Sequence, residues 1–183
     1  SPRELVLLSL SRVRGMSQRQ LEGALLPGEA EWLADIRRQP EPELTLVVSP
    51  SGRIIGYTVG NDMSSRSIEG ENPLYLPQAK TYEQSAGIGP GILVTNSPLS
   101  PQTRIQLEIF RNDQIMFSGK TLISAINRKF EELVGWLYRE LDFPEGAYVM
   151  TGTGIVPPGD FTLEPHDRIE IEISGVGKLI QPV

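Results

Sequence analysis

Two β-rich runs on either side of a short turn constrain the fold of this chain more than any other feature. Residues 44–48 read Leu-Thr-Leu-Val-Val and residues 53–59 read Arg-Ile-Ile-Gly-Tyr-Thr-Val, with Ser-Pro-Ser-Gly between them. Such runs around a turn of this composition predict a β-hairpin. Residues 104–110 and 114–117 flank Arg-Asn-Asp and predict a second hairpin, and residues 168–173 alternate polar and Ile side chains as a strand does.

The remaining segments carry other patterns. Residues 1–39 are rich in helix-forming residues and are interpreted as a short N-terminal helical segment. Residues 63–90 are predicted to be loop-rich, and a loop of that length in a compact domain is usually functional. Apolar residues at helical spacing predict one long helix over residues 124–141, with Phe130 and Trp136 as core candidates. Gly-Ile-Gly-Pro-Gly at 87–91 is interpreted as a turn.

Composition excludes several classes of protein. The 183 residues suit one domain with a core of its own, and the formal net charge is −6. The scattered Lys and Arg residues form no basic stripe, so no nucleic-acid partner is expected. The chain has no cysteine, which excludes thiolate chemistry and is compatible with the cytoplasm. The apolar residues 5–10 are too few to span a bilayer, so no membrane association is expected.

Three carboxylates converge if the first hairpin forms. Glu41 and Glu43 are two residues apart, so on a strand they share a face. If Ser49 pairs with Gly52 across the turn, Glu43 lies opposite Thr58 and Glu41 opposite Gly60. Asp62 is then a diagonal neighbour of Glu41, about 7–8 Å away. Carboxylates at that spacing can share one cation.

A hard divalent cation would relieve the repulsion among these three carboxylates. Ligation by oxygen alone favours Mg²⁺, Mn²⁺ or Ca²⁺ over zinc. The alternative is that Glu41 and Glu43 are solvated residues on an outward strand face. The single histidine, His166, lies in Pro-His-Asp and is interpreted as part of a surface turn with a structural role.

Several ordered motifs between residues 40 and 183 resemble the fumarylacetoacetate hydrolase superfamily. They are Pro-Glu-Pro-Glu-Leu at 40–44, Gly-Tyr-Thr-Val-Gly-Asn-Asp-Met-Ser-Ser-Arg at 56–66, Ile-Glu-Gly-Glu-Asn-Pro-Leu-Tyr-Leu-Pro-Gln-Ala-Lys at 68–80, Thr-Gly-Thr-Gly-Ile-Val-Pro-Pro at 151–158 and Asp-Phe-Thr-Leu at 160–163. Within the superfamily the match is best to sugar-acid dehydratases of the 2-keto-3-deoxy-D-arabinonate dehydratase type. The resemblance implies an α+β, mostly β fold, a mixed β-sandwich or roll with one packed helix, in which residues 40–183 form the catalytic domain.

The resemblance also implies roles for individual residues. Glu41, Glu43 and Asp62 match metal ligands, usually of Mg²⁺, and Lys80 matches an active-site lysine. Arg66 matches an arginine that helps to hold the end of the substrate, Glu69 matches a polar position on the substrate side, and Thr153 matches a residue that contacts the substrate carboxylate. The implied reaction is metal-assisted removal of a C3 proton from a 2-oxo acid, followed by loss of the C4 hydroxyl. Lys80, partly desolvated beside a cation, would act as base with a lowered pKa. A homodimer is implied as well.

The chain departs from the family pattern at two places. Arg66 is followed by Ser67 where the family usually has aspartate, which predicts a looser arginine. The dehydratases carry a further catalytic carboxylate upstream of the Glu-x-Glu strand, and residues 1–39 do not align with that region. Glu22, Glu29 and Glu31 are candidates for it. The superfamily's hydrolases use an upstream His–Glu pair, and here no histidine precedes His166.

Three functions therefore stay open at this point. The first is dehydration of a 2-keto-3-deoxy sugar acid. The second function also proceeds through a metal-stabilised enolate of a 2-oxo acid, but the reaction is acylpyruvate hydrolysis, oxaloacetate decarboxylation or isomerisation. The third is a catalytically incomplete paralogue that keeps the metal site.

Overall fold

Two antiparallel sheets form the framework of the described chain. The structure, a computed structural model, describes residues 38–95 and 97–183. Ten strands run through these residues: β1 (Arg38–Gln39), β2 (Pro42–Val48), β3 (Ile54–Asp62), β4 (Ser64–Ser65), β5 (Ala86–Val94), β6 (Arg104–Arg111), β7 (Gln114–Leu122), β8 (Ala147–Met150), β9 (Arg168–Ile173) and β10 (Gly177–Pro182). One sheet has the order β5-β3-β2-β8 and the other β10-β9-β6-β7, while β1 and β4 pair as a short ribbon.

Short helices lie between the strands of the described residues. They are α1 (Arg66–Glu71), α2 (Leu76–Lys80) and α3 (Phe130–Leu137), with 3-10 turns at Pro73–Tyr75 and Ile123–Ala125. None of the helices in this part of the chain has the length and apolar character needed to cross a membrane.

The core lies between the two sheets. A single cluster of buried side chains draws on both of them, on α3 and on two connecting segments; its members are Leu44, Leu46, Val48, Tyr57, Val59, Ile105, Leu107, Ile109, Ile123, Val134, Ile155, Ile169, Ile171 and Ile173. Complete burial of an aliphatic side chain contributes about 1.5–3 kcal/mol, so this cluster dominates the stability of the fold. The predicted mostly β fold is confirmed.

The first hairpin forms, but the predicted register was wrong by two residues. Glu43 lies opposite Gly60 instead of Thr58, and the Asp62 N–H donates to the Glu41 carbonyl at 3.0 Å. One extra residue in the turn and one in the second strand cause the shift. Gly52, at φ +71°, closes the turn so that Ser49 pairs with residue 53, and a β-bulge follows between Val48 and Val47.

A shift by two residues keeps every side chain on its predicted face, because side chains alternate with a period of two. The face shared by Glu41 and Glu43 is therefore the expected one. Asp62 is directly opposite Glu41 instead of diagonal to it, which brings the carboxylates closer together than predicted.

The long helix predicted over residues 124–141 was wrong in its bounds. Only Phe130–Leu137 is helical, and Ile126 packs against the core from an extended segment. Acidic side chains in the first turn favour a start at Phe130. The helix ends where the Tyr138 hydroxyl donates to the Ser49 carbonyl at 2.9 Å.

Other local predictions differ as well. Phe130 packs against the core as expected, but Trp136 is 57% exposed and is covered by the Arg139 guanidinium, 3.8 Å from its ring centroid. Residues 87–91, interpreted as a turn, lie within strand β5. The segment predicted to be loop-rich contains α1 and α2. The helical prediction for residues 1–39 lies outside the described residues, except that Arg38 and Gln39 form strand β1.

Candidate metal centre and active site

Three carboxylates meet where β2 begins and β3 ends. Glu41 directly precedes β2, Glu43 is its second residue, and Asp62 is the last residue of β3. One oxygen of each carboxylate lies within 4.8 Å of one oxygen of each of the others. Glu41 and Glu43 are buried, with exposures of 8% and 3%, and Asp62 is partly buried. The structure thus brings together the three residues that the sequence predicted as metal ligands.

This donor set fits a hard divalent cation. Carboxylate oxygens are the ligands that Mg²⁺, Mn²⁺ and Ca²⁺ prefer, and one ion can draw on a group of this size with oxygen–metal distances of about 2.0–2.6 Å. The pKa of Glu43 shows that ionisation of this carboxyl is unfavourable when no cation is bound. Burial, opposed by a hydrogen bond from the Gly152 N–H at 2.6 Å and assisted by the charges of Asp62 and Glu41, raises the pKa of Glu43 to about 7.

Lys80 closes the cluster from the end of helix α2. Its Nζ donates to Asp62 Oδ2 at 2.6 Å, to Glu41 Oε2 at 3.0 Å and to Ser64 Oγ at 2.6 Å. Burial by itself lowers the pKa of Lys80, but the hydrogen bonds to Asp62 and Glu41 outweigh burial and raise it. The lowered pKa of Lys80 was expected beside a cation and stays a prediction, because here the neighbours of the ammonium are two anions.

A second polar group surrounds Arg66 at the start of α1. The Arg66 NH1 donates to Glu69 Oε2 at 2.6 Å, and its Nε donates to Gln39 Oε1 at 3.2 Å. The looser arginine expected from Ser67 is not what the structure describes, because Glu69 and Gln39 supply the acceptors. Arg66 and Glu69, predicted separately, thus form one ion pair.

Thr153 lies in the loop that follows β8. Its hydroxyl accepts from the Ile155 N–H at 3.1 Å, so it stabilises a turn within its own loop. The loop reaches the carboxylate cluster through the neighbouring Gly152, which donates to Glu43. His166 lies in an exposed turn before β9 with φ +74°, so the predicted surface turn is confirmed.

Two residues of this region escaped the sequence analysis. Ser64 accepts from Lys80, and Gln39 is fully buried against Arg66. Each lies two positions from a predicted ligand, Ser64 after Asp62 and Gln39 before Glu41. Extending the period-two argument by one step in each direction would have indicated both.

Comparison with known proteins gives a consistent family. The family model described as "Fumarylacetoacetate (FAA) hydrolase C-terminal" matches residues 47–183. Among curated proteins, the chain is 43% identical over 157 residues to a probable 2-keto-3-deoxyxylonate dehydratase of Haloferax volcanii, covering 85% of this chain and 52% of the relative. It is 39% identical over 163 residues to the 2-dehydro-3-deoxy-D-arabinonate dehydratase of Saccharolobus solfataricus, covering 88% of this chain and 53% of the relative.

A solved structure agrees with these relatives. The 2-keto-3-deoxy-D-arabinonate dehydratase complexed with magnesium and 2,5-dioxopentanoate is 40% identical, superimposes with a TM-score of 0.77, and aligns over 80% of this chain and 53% of its own. The chain therefore spans about half the length of the relatives that it matches.

Proposed function

Because the chain belongs to the fumarylacetoacetate hydrolase family, we propose that it acts in a metal-dependent hydro-lyase that removes water from a 2-keto-3-deoxy sugar acid. One observation carries the proposal: three carboxylates, buried or partly buried, have oxygens within 4.8 Å of one another, and a lysine ammonium donates hydrogen bonds to two of them. The names and the magnesium complex of the dehydratases at 39–43% identity support the choice of reaction.

Glu41, Glu43 and Asp62 would hold the cation, which we propose to be Mg²⁺, with Mn²⁺ or Ca²⁺ as substitutes. When bound, a divalent cation supplies Lewis-acid stabilisation of the negative charge that develops on a 2-oxo acid as its C3 proton leaves. The mutual repulsion of the three carboxylates and the raised pKa of Glu43 support a cation at this position.

Lys80 is proposed to take the C3 proton. It lies between Asp62 and Glu41, and the pKa of Lys80 is raised because these carboxylates accept its hydrogen bonds. A divalent cation held by these carboxylates would weaken that support for the ammonium, so that Lys80 could act as a neutral amine. The C4 hydroxyl would then leave as water with the proton that Lys80 has taken from C3, and the electron pair of the broken C3–H bond would become the second bond between C3 and C4.

Arg66 and Glu69 are proposed to face the far end of the substrate, and Thr153 is proposed to contact the substrate carboxylate. The Arg66 guanidinium is already paired with Glu69 at 2.6 Å, so this end of the site carries no net positive charge from Arg66. A neutral, hydroxylated tail suits such a pair better than a second carboxylate, which the Glu69 carboxylate would repel. This favours a sugar acid over oxaloacetate and other dicarboxylates.

The wider setting is also a proposal. Residues 40–183 would form the catalytic domain, and Glu22, Glu29 and Glu31 are the candidates for a further catalytic carboxylate upstream of it. We also propose a homodimer in the cytoplasm, without nucleic-acid or membrane partners. Exposed apolar side chains at the sheet edges support the dimer: Val94 and Tyr148, at 76% and 52% exposure, lie in one row across β5-β3-β2-β8.

A substrate panel tests the reaction. The purified protein with Mg²⁺ is incubated with 2-keto-3-deoxypentonates, oxaloacetate and an acylpyruvate, and the products are identified by mass spectrometry. We expect the dehydrated product from a 2-keto-3-deoxypentonate and little conversion of the dicarboxylate. Faster conversion of oxaloacetate or an acylpyruvate would replace the dehydratase assignment with decarboxylation or hydrolysis, and metal binding without any turnover would indicate an incomplete active site.

A further inference from the structure

Gln39 is a fully buried polar side chain that joins three segments of the chain. Its exposure is 0%, and its Nε2 donates to the carbonyls of Pro158 and Phe161 at 3.0 and 2.9 Å. Its Oε1 accepts from Arg66 Nε at 3.2 Å. The carboxamide therefore connects strand β1, the start of α1 and the connection that leads from β8 to β9.

These partners leave the amide group only one orientation. Two carbonyl oxygens require the NH₂ end, because a carbonyl cannot donate, and an arginine Nε–H requires an acceptor. If the amide of Gln39 were rotated by half a turn, its oxygen would face the carbonyl oxygens of Pro158 and Phe161. Its NH₂ group would face the Nε–H of Arg66, and neither contact could be a hydrogen bond. The hydrogen-bond network thus fixes which atom of Gln39 meets Arg66.

The contact restricts the guanidinium of Arg66 in a way that Glu69 alone does not. Glu69 follows Arg66 by three residues in the same helix and accepts from NH1, so this pair moves with α1. Gln39 accepts from Nε and belongs to another element, with Gln39 directly opposite Ser64 across the β1–β4 ribbon. Ser64 in turn accepts from Lys80. Gln39 therefore fixes the plane of the Arg66 guanidinium relative to the β1–β4 ribbon, which contacts Lys80 through Ser64.

We propose that Gln39 is a positioning residue, which orients Arg66 for the substrate and sets substrate affinity more than the rate of the chemical step. The part that concerns substrate rests on the proposed function of Arg66. The contact between Gln39 and Arg66 itself does not, so it can be tested separately.

Two substitutions of nearly equal size separate positioning from a merely structural role. Gln39→Glu and Gln39→Met both remove the donors to Pro158 and Phe161. Only Gln39→Glu keeps an oxygen acceptor for Arg66, and a charged acceptor strengthens that bond. If Gln39 acts only as an anchor for the connection, the two variants will behave alike.

The readouts are steady-state kinetics with Mg²⁺ and a 2-keto-3-deoxypentonate, and the ¹⁵N–¹H signal of Arg66 Nε, identified by its loss in Arg66→Lys. Gln39→Met is expected to raise KM about tenfold, the change that about 1.4 kcal/mol produces, with kcat within about threefold. Its Arg66 Nε signal should broaden or move to the position of solvent-exposed arginines. Gln39→Glu should keep KM within about threefold of wild type and retain a distinct Arg66 signal.

Equal KM values in the two variants, or an unchanged Arg66 signal in Gln39→Met, would overturn the proposal. If Gln39→Met does not fold, the Arg66 Nε signal of Gln39→Glu tests the contact, and a signal at the position of solvent-exposed arginines in that variant would also overturn the proposal. If wild type converts no 2-oxo acid, the proposed function fails, while the Arg66 signal still decides whether Gln39 holds the guanidinium.

Discussion

Glu43 is the residue at which the fold and the proposed chemistry conflict most directly. Its carboxylate is 3% exposed and lies within 4.8 Å of two others. A buried carboxylate with that environment is stabilised only by a proton, by the Gly152 N–H, by Lys80 or by a cation. Ionisation of the buried Glu43 should therefore lower the free energy of unfolding of the metal-free protein.

We predict that the metal-free protein loses stability as the pH rises from about 4.5 to about 7. Burial raises the pKa of Glu43 from 4.5 to about 7, so in this window the folded state binds more protons than the unfolded state. Stability then falls with rising pH. The integrated loss is at most about 3.4 kcal/mol, since each pKa unit corresponds to about 1.36 kcal/mol. Urea unfolding in EDTA at a series of pH values measures it.

Glu43→Gln is the matched variant for this measurement. The amide keeps the size of the side chain and an oxygen acceptor for the Gly152 N–H, but it cannot titrate. The variant should show a smaller fall in stability over the same pH window and should be more stable than wild type above pH 7. A wild-type curve that rises between pH 4.5 and 7, unaltered by Glu43→Gln, would contradict the assignment.

At the scale of elements, the connection between β8 and β9 is irregular, yet hydrogen bonds hold it at three places. Gly152 donates to the Glu43 carboxylate, and Pro158 and Phe161 accept from Gln39. Farther along, Asp167 receives two hydrogen bonds from Arg111, both at 2.8 Å. An irregular segment that carries Thr153 is thus fastened to the sheets at its beginning, middle and end.

We predict that Asp167→Asn destabilises the protein by about 2–3 kcal/mol, because it leaves Arg111 without its charged, bidentate partner beside a fully buried side chain. Asp113→Asn is the control. Asp113 pairs with Arg168 but is 87% exposed, so its loss should change stability by less than about 0.5 kcal/mol. Chemical denaturation of both variants at pH 7 gives the comparison, and equal effects would contradict the role of Asp167 as an anchor.

The pH dependence of this anchor has the opposite sign to that of Glu43. The hydrogen bonds from Arg111 hold the pKa of Asp167 below its ordinary value. Its stabilising contribution is therefore complete above about pH 4 and is lost as the pH falls through the lower folded-state pKa. In Asp167→Asn, the stability lost on acidification below pH 4 should be smaller than in wild type.

The elements also show what the sequence could and could not predict. Strand periodicity placed Glu41 and Glu43 on one face. It did so even though the register was wrong, because the one-residue shift in the turn and the one-residue shift at the bulge add up to an even number. The bounds of α3 were not predictable from its periodicity. Ile126 satisfies the helical spacing and still reaches the core from an extended segment, so tertiary packing decided where the helix begins.

On the scale of the whole molecule, the sandwich brings distant parts of the sequence to one end of a sheet. Lys80 contacts Glu41 across 39 residues and Asp62 across 18. No local pattern contains such a contact, and only the resemblance of residues 68–80 to a known family indicated Lys80. The network around Gln39 spans more than 100 residues and was missed altogether, since a buried amide carries no periodic signal.

Turnover of a 2-keto-3-deoxypentonate, with Mg²⁺ and with EDTA, tests the central claim most directly when Lys80→Met is compared with Lys178→Met. Lys178 pairs with Glu170 on the other sheet, so its substitution controls for the loss of a paired lysine. We predict metal-dependent dehydration by wild type, a fall in kcat of about 10²–10⁴-fold in Lys80→Met, and a kcat within about threefold of wild type in Lys178→Met. Dehydration that persists in EDTA, or a Lys80→Met variant as active as Lys178→Met, would contradict a metal centre served by Lys80.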